Sequence, residues 1–497
     1  MSSTGRADLT RLDRSRFGIS LPAIAGLGAY YVVVSHGVKI LHDPDTYLHI
    51  AVGRWIIAHG TVPHRGIFSL TMPDAPWVAH EWLGEIILAS LFDHFGWVGL
   101  LAATGLTFAA AVAMLLRQLL RSLAPVHAMI GTALACALAL PHLLARPHML
   151  TLPILVVWVI GLVRARTEDR APPLWFAGLI VLWANLHGGY MFGIILAALL
   201  AGEAVLAARD WRTRMAAARG WAAFCAASVA AALITPFGID GLLLPLQLTR
   251  MSFALSVLEE WHSPNFQQLQ PLEMWIIFVL FAALSLGWRL PVTRVGIVLL
   301  RVHMALQHGR HGELLGFVAP LLLAPALAQQ LDRRLENGRG LWLDRLMAEL
   351  AKPAGVGGLA LTVVALGALT ILPLRGSLAQ RLDAIVPKAA LGAVKAHNVS
   401  GPVLNAYRFG GYLIFSGIAP FIDGRAELYG DAFIERYVEA VLGVNDQLPA
   451  LLGEYGVTWT VLEPDSPAVR LLDHLPGWRR LYADDIAVVQ VRDGAAH

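Results

Sequence analysis

Apolar and polar positions fall along this chain in long blocks. Eleven apolar runs stand out, at 18–40, 97–118, 126–144, 149–164, 173–187, 190–208, 219–236, 271–288, 294–308, 313–330 and 355–374. A helix crossing a bilayer needs about 20 apolar residues, fewer where the bilayer thins locally. The pattern therefore predicts a helical membrane domain of about eleven spans. Five connecting segments are rich in arginine: "RQLLRSLAPVH", "VRARTEDRAPP", "ARDWRTRMAAARG", "WRLPVTR" and "QQLDRRLENGRGLWLDR". Basic loops stay in the cytoplasm, which places these five and the N-terminus inside. The opposite face then carries 41–96, the turns near 145–148 and 188–189, 237–270, "LQHGRHGE" and everything after 375.

Residues 80–95, "HEWLGEIILASLFDHF", are helical in pattern but carry Glu81, Glu85 and Asp93. Counting them as a span would invert every later loop and export the arginine-rich ones. They read as an interfacial or re-entrant helix. After residue 375 the pattern changes. "PVLNAYRFGGYLIF", "APFIDGRAEL", "TWTVLE" and "RRLYADDIAVVQVR" read as strands, with a helical "DAFIERYVEAVLG" among them. Two units follow: a membrane domain over 1–375 and a small soluble α/β domain over 376–497.

Composition agrees with this division. The chain has 497 residues, 57% hydrophobic and 15% charged, against about 45–50% and about 25% in soluble domains. A net charge of +3 gives no basic surface for nucleic acid. Cys136 and Cys225 lie in apolar runs and form no CxxC, so they read as core residues.

The unusual polar residues collect on the face opposite the arginines. Asp43, Asp45, His49, Arg54, His64, His80, Glu81 and Glu85 lie in the first loop of that face. Arg146 and His148 lie at the second, Asn185 and His187 at the third, Glu260 and His262 in the fourth, Arg310 and His311 in the fifth. Ionisable groups at membrane depth are costly and usually line a functional cavity. Within this set Asp43-Pro44-Asp45 has a distinct chemistry. Two carboxylates two residues apart can share a divalent cation such as Mg or Mn, or take a proton from a reacting group. A helical pattern runs from Thr46 to Ala58, and Asp45 could equally be that helix's N-cap. In the tail, Tyr407, Arg408, Asp423, Arg425, Glu427 and Asp431 read as a salt-bridge network or an acceptor-binding surface.

The first loop carries Asp45, His49, Gly53 and Ile56 in a D-x-x-x-H-x-x-x-G-x-x-I pattern, then Pro63, Phe68, Ser69 and Thr71, then Trp77, Glu81, Trp82, Leu83 and Glu85. With "WANLHGG" and "FIDGRAELYGD", this arrangement resembles the GT-C class of integral-membrane glycosyltransferases, which use polyprenyl-phosphate-linked sugars. The resemblance implies that Asp45, with Asp43 as second carboxylate, is the base or a metal ligand. It implies that arginine and histidine receive the lipid phosphate, and that the acceptor is an envelope glycan, lipid or protein. Direct displacement would invert the anomeric centre. The implied place is a bacterial inner membrane with the site and the C-terminal domain in the periplasm.

Two other classes stay open. A transporter would place its polar groups near mid-bilayer, often in repeated halves, and no repeat is visible. A non-catalytic scaffold of an envelope-polysaccharide pathway would keep the architecture without the chemistry. A metalloprotease is excluded because "HEWLGE" lacks the second histidine of HExxH.

Overall fold

A computed structural model describes residues 15–258, 261–335, 342–372 and 378–494. Each of the eleven apolar runs coincides with a helix. Among the described residues six helices are long and apolar enough to cross a membrane: Trp82–Leu119, Pro125–His142, His148–Thr167, Tyr190–Ala207, Trp211–Ala232 and Gly309–Ala328. Leu21–Ser35, Leu174–Leu186, Pro271–Leu286 and Val356–Ile371 are shorter apolar helices. The chain is thus a multi-pass membrane protein.

Two local departures have clear causes. The pattern leaves 237–270 as a loop, but Ile239–Leu248 forms a short apolar helix there. Val292–Gln307 is helical yet carries buried Arg294 and Arg301. Arg294 donates to the Leu322 carbonyl at 2.8 Å and pairs with Glu203, and Arg301 donates to the Phe192 carbonyl at 3.2 Å. Both guanidiniums are held by protein groups, as burial of a charge requires.

The first loop folds as two packed helices. Pro44–His59 is capped by Asp43, whose side chain accepts from the Asp45 amide, and ends at left-handed Gly60. The N-cap is therefore Asp43, with Pro44 at the first helical position and Asp45 free of that duty. The Trp82–Leu119 helix is broken at Gly96 (φ 59°, ψ −154°), which separates residues 82–95 from the apolar half that follows. The 82–95 half crosses Pro44–His59 at Gly53. A Cβ at Gly53 would overlap the Glu85 carbonyl, so only glycine permits this contact. The glycine of the first-loop pattern thus sets the spacing between His49 and Glu85.

The C-terminal domain holds a four-stranded sheet of β1 (Val403–Asn405), β2 (Trp459–Leu462), β3 (Trp478–Ala483) and β4 (Val488–Arg492), in the order β1-β2-β4-β3. β1 and β2 pair parallel, and the rest pair antiparallel. Helix Asp431–Leu442 forms where the periodicity placed it. Of the predicted strands, "PVLNAYRFGGYLIF" forms only over β1 and "APFIDGRAEL" does not form. "GGYLIF" is the helix Gly410–Phe415, and 416–425 is a loop that closes on it. Glycine explains the change: a Cβ at Gly410 would overlap the Ile422 carbonyl, and one at Gly411 would overlap that of Pro44. These glycines serve close packing against a helix and a loop, not a ladder.

Among the described residues two large hydrophobic cores result, with a small third cluster at Tyr30, Val34 and Ala109. One fills the membrane helices and includes Ile50, Leu378 and Leu382. The other fills the C-terminal domain but takes in Leu48, Val52, Ile56, Trp77 and Ala79 from the first loop. Helix Pro44–His59 therefore belongs to both. The domain boundary predicted at 375/376 lies outside the described residues.

Candidate active site

Asp43 and Asp45 leave the start of their helix toward a common guanidinium. Arg146 donates from Nε to Asp43 Oδ2 at 2.6 Å and from Nη2 to Asp43 Oδ1 at 2.9 Å. Its Nη2 also lies 3.0 Å from Asp45 Oδ2. The two carboxylates differ in setting. Asp43 is buried, gripped from two sides by a planar fork that matches it, and spent on capping. The Asp45 side chain is 20% exposed, against 4% for that of Asp43.

One helical turn on, His49 joins a second network. Its Nδ1 lies 3.1 Å from Glu85 Oε1 and its Nε2 lies 3.5 Å from Glu81 Oε2. Glu81 also faces His187 at 3.3 Å and His80 at 3.8 Å. Burial opposes a charge on His49, but Glu85, Glu81 and Asp45 outweigh it and hold the imidazole up at about 9. Burial likewise opposes the Glu81 charge, but His49, His187, His80 and Arg146 draw its carboxyl down to about 2. Burial pushes His187 down to about 4 despite Glu81, so it stays neutral. The result is a charged His49 fixed between carboxylates, with neutral imidazole nearby.

The far wall comes from later helices. Arg310 stacks over Trp261 at 4.6 Å, and buried His311 packs on Phe192 at 5.1 Å. Buried Glu313 lies 3.9 Å from His148, whose ring is 5.9 Å from that of His187.

These groups surround one cavity of about 1660 Å³. Its wall includes Asp43, Asp45, His49, His80, Glu81, Glu85, Arg146, His148, His187, His262, Arg310 and His311. Loops assigned to one face by arginine count alone therefore meet around one space. The C-terminal domain closes it with Arg408, Gly424, Arg425, Glu427 and Glu463. Gly424 is packed so tightly that a Cβ there would overlap the Asp45 carboxylate.

Some predicted residues do not join. Arg54 is on the same helix but pairs with Asp93 at 2.8 Å and stacks between Phe92 and Phe415. His64 is exposed and packs on Phe237 outside the cavity wall. Asn185 is structural: it accepts from the Trp82 indole at 2.8 Å and donates to the Val181 and Ile234 carbonyls. Glu260 lies outside the described residues. His262 reaches the wall, but its Nε2 is 2.9 Å from the Ser256 carbonyl.

Other wall residues escape sequence reading. His142 and Glu313 were hidden at the edges of apolar runs, and Glu313 is only the last letter of "LQHGRHGE". Of the tail residues, Asp423 and Arg425 pair with each other: Arg425 donates twice to Asp423, at 2.7 and 2.6 Å, and Tyr429 donates to Asp423 at 2.7 Å. Arg408 pairs instead with Glu463, and Asp431 accepts from the Phe253 and Ala254 amides. Arg408, Arg425 and Glu427 line the cavity.

The residues do not fit a metal shared by Asp43 and Asp45. Arg146 already lies between both carboxylates, where such a cation would sit. Among the described residues no group of three or more His, Cys, Asp or Glu side chains is arranged to hold a metal ion.

The helical membrane bundle followed by a small C-terminal sheet domain has the GT-C fold. Among solved structures, the chain is similar to ArnT from Cupriavidus metallidurans in the apo state, with 13% identity, a TM-score of 0.50, and coverage of 95% of this chain and 97% of that one. For ArnT bound to undecaprenyl phosphate the values are 13%, 0.49, 96% and 98%. For the arabinofuranosyltransferase AftD from Mycobacteria they are 18%, 0.45, 98% and 41%, so the chain spans less than half of AftD. The chain matches no protein-family model and no curated protein sequence.

Proposed function

We propose that this protein is a glycosyltransferase that moves a sugar from a polyprenyl-phosphate donor to an acceptor hydroxyl, with Asp45 as general base. One observation carries the reading: Asp45 is the partly exposed member of a carboxylate pair, aimed by Arg146 into a cavity whose far wall holds Arg310, His148, His187 and His311. The shared fold with ArnT, which has been solved with undecaprenyl phosphate, supports a lipid-phosphate donor.

In this reading the donor enters between the membrane helices. Arg310 and the nearby imidazoles receive its phosphate, and a guanidinium suits a phosphate because its planar fork makes paired hydrogen bonds. The acceptor oxygen attacks the anomeric carbon as Asp45 takes its proton. The bond from that carbon to the phosphate oxygen breaks, and polyprenyl phosphate leaves. Attack from the side opposite the leaving group inverts the anomeric centre. Asp43 and Arg146 hold Asp45 in place, so no step passes through a metal. The arginine-rich loops face the cytoplasm of a bacterial inner membrane, and the cavity opens to the periplasm.

The test is transfer by purified protein from a panel of polyprenyl-phosphate sugars, with and without EDTA. Positioned base catalysis contributes about 10²–10⁴-fold. Asp45→Asn should lower the rate by that factor in a folded protein, and EDTA should have no effect. Full activity in Asp45→Asn would sink the assignment of the base.

A further inference from the structure

We propose that the Asp423–Glu427 loop of the C-terminal domain forms, with Trp77, a hydroxyl-recognising subsite that holds a saccharide acceptor against Asp45. This rests on the glycosyl-transfer reading for its use, but its binding chemistry stands on its own residues.

Arg425 is 4% exposed and lies in the cavity wall. Its Nε and Nη2 are both committed to Asp423, and its guanidinium lies 4.7 Å over the Trp77 ring. Its Nη1 has no hydrogen-bond partner. A buried donor without a partner is costly, and a ligand that supplies an acceptor there recovers that cost. Glu427 lies in the same wall and accepts from the Trp77 indole at 3.0 Å. A donor, an acceptor and an aromatic edge thus converge beside Gly424, which touches Asp45.

Charge decides what binds. Asp423 neutralises Arg425, Arg146 offsets one of the two charges of Asp43 and Asp45, and Glu427 adds a further negative charge. This end of the cavity is therefore electronegative and repels a phosphate. The cation suited to phosphate is Arg310 of the far wall, with the imidazoles beside it as hydrogen-bonding groups. A neutral polyol fits the near end: one hydroxyl accepts from Arg425 Nη1 while another donates to Glu427. Adjacent sugar hydroxyls offer this pairing of acceptor and donor. The subsite is thus on the acceptor side, and it positions the attacking hydroxyl by its neighbours.

The test uses the full chain in nanodiscs. Glu427→Gln keeps an oxygen for the Trp77 indole but removes the charge. A hydrogen bond to a charged group is worth about 1.5–3 kcal/mol, or about 10- to 100-fold in affinity. Acceptor KM should rise at least about tenfold by the same measure, with donor KM unmoved. Saturation-transfer NMR with the methyl glycosides of glucose, galactose and mannose reads binding directly. The wild type should show saturation transfer and Glu427→Gln should lose it. Arg425→Lys, checked for folding by its thermal transition, should behave alike because lysine keeps the pair with Asp423 but has no Nη1. A rise in donor KM instead, an unchanged acceptor KM, or no saturation transfer in the wild type would each overturn the subsite. Saturation transfer that depends on Glu427 in a protein that transfers no sugar would uphold the subsite and reject the transferase.

Discussion

Asp43 and Asp45 look alike in the sequence but do different work in the structure. The helix start divides them: Asp43 points back to cap it, and Asp45 points out from its first turn. Spacing alone could mark the pair but not assign the roles, because the partner that separates them, Arg146, lies 103 residues from Asp43. Nothing local in the sequence marks Gly424, since its neighbour Asp45 is still more remote. Its role gives a sharp prediction. In Gly424→Ala the new methyl must displace the Asp45 carboxylate, because the backbone behind it is fixed. A misplacement of about 1 Å can cost about 10²-fold in rate, so transfer should fall by about that much while the unfolding temperature changes little. His49 gives a pH prediction. Its pKa is raised to about 9, so its contribution to stability is complete below the ordinary 6.5 of a free imidazole and is lost as pH climbs through 9. Glu81, lowered to about 2, contributes above the ordinary 4.5 and loses that only as pH falls through 2. Thermal unfolding across pH 5–10 should show a loss of stability on the alkaline limb near 9. His49→Gln should flatten that limb.

Helices were legible wherever apolar runs were long, because length and hydropathy need no partner to be read. Elements that depend on close packing were not. Gly410–Phe415 looks like a strand by composition, with Tyr, Leu, Ile and Phe together, yet Gly410 and Gly411 let it pack as a helix against the Ile422 and Pro44 carbonyls. Residues 80–95 read as an interfacial or re-entrant helix, and Gly96 breaks the helix before the next span. At φ 59° and ψ −154° this residue is in a region open essentially to glycine, and nothing lies within 4 Å of a Cβ there. Gly96→Ala should therefore cost about 1–3 kcal/mol from backbone strain alone. Unfolding in detergent should report that loss. A variant as stable as wild type would mean that residues 82–95 run straight into the span.

At the scale of the molecule, a linear cut after residue 375 misses how the two parts are joined. Leu48, Val52, Ile56, Trp77 and Ala79 lie in the core of the C-terminal domain, although they precede most of the membrane helices. Such sharing has no local signature, since each residue also fits an amphipathic surface helix. Residues 376–497 expressed alone should bind a hydrophobic dye and lack a sharp unfolding transition, because part of their core is missing. A cooperative transition and no dye binding would show that the tail folds without the first loop.

The contact between Gly424 and Asp45 also sets an order in time. Asp45 is synthesised before Gly424 and before most of the membrane helices. Its carboxylate is in place while those helices are threaded. The near wall of its cavity exists only once Gly424 has followed. A chain cut short between the two therefore carries the Asp45 carboxylate without the surface that closes over it.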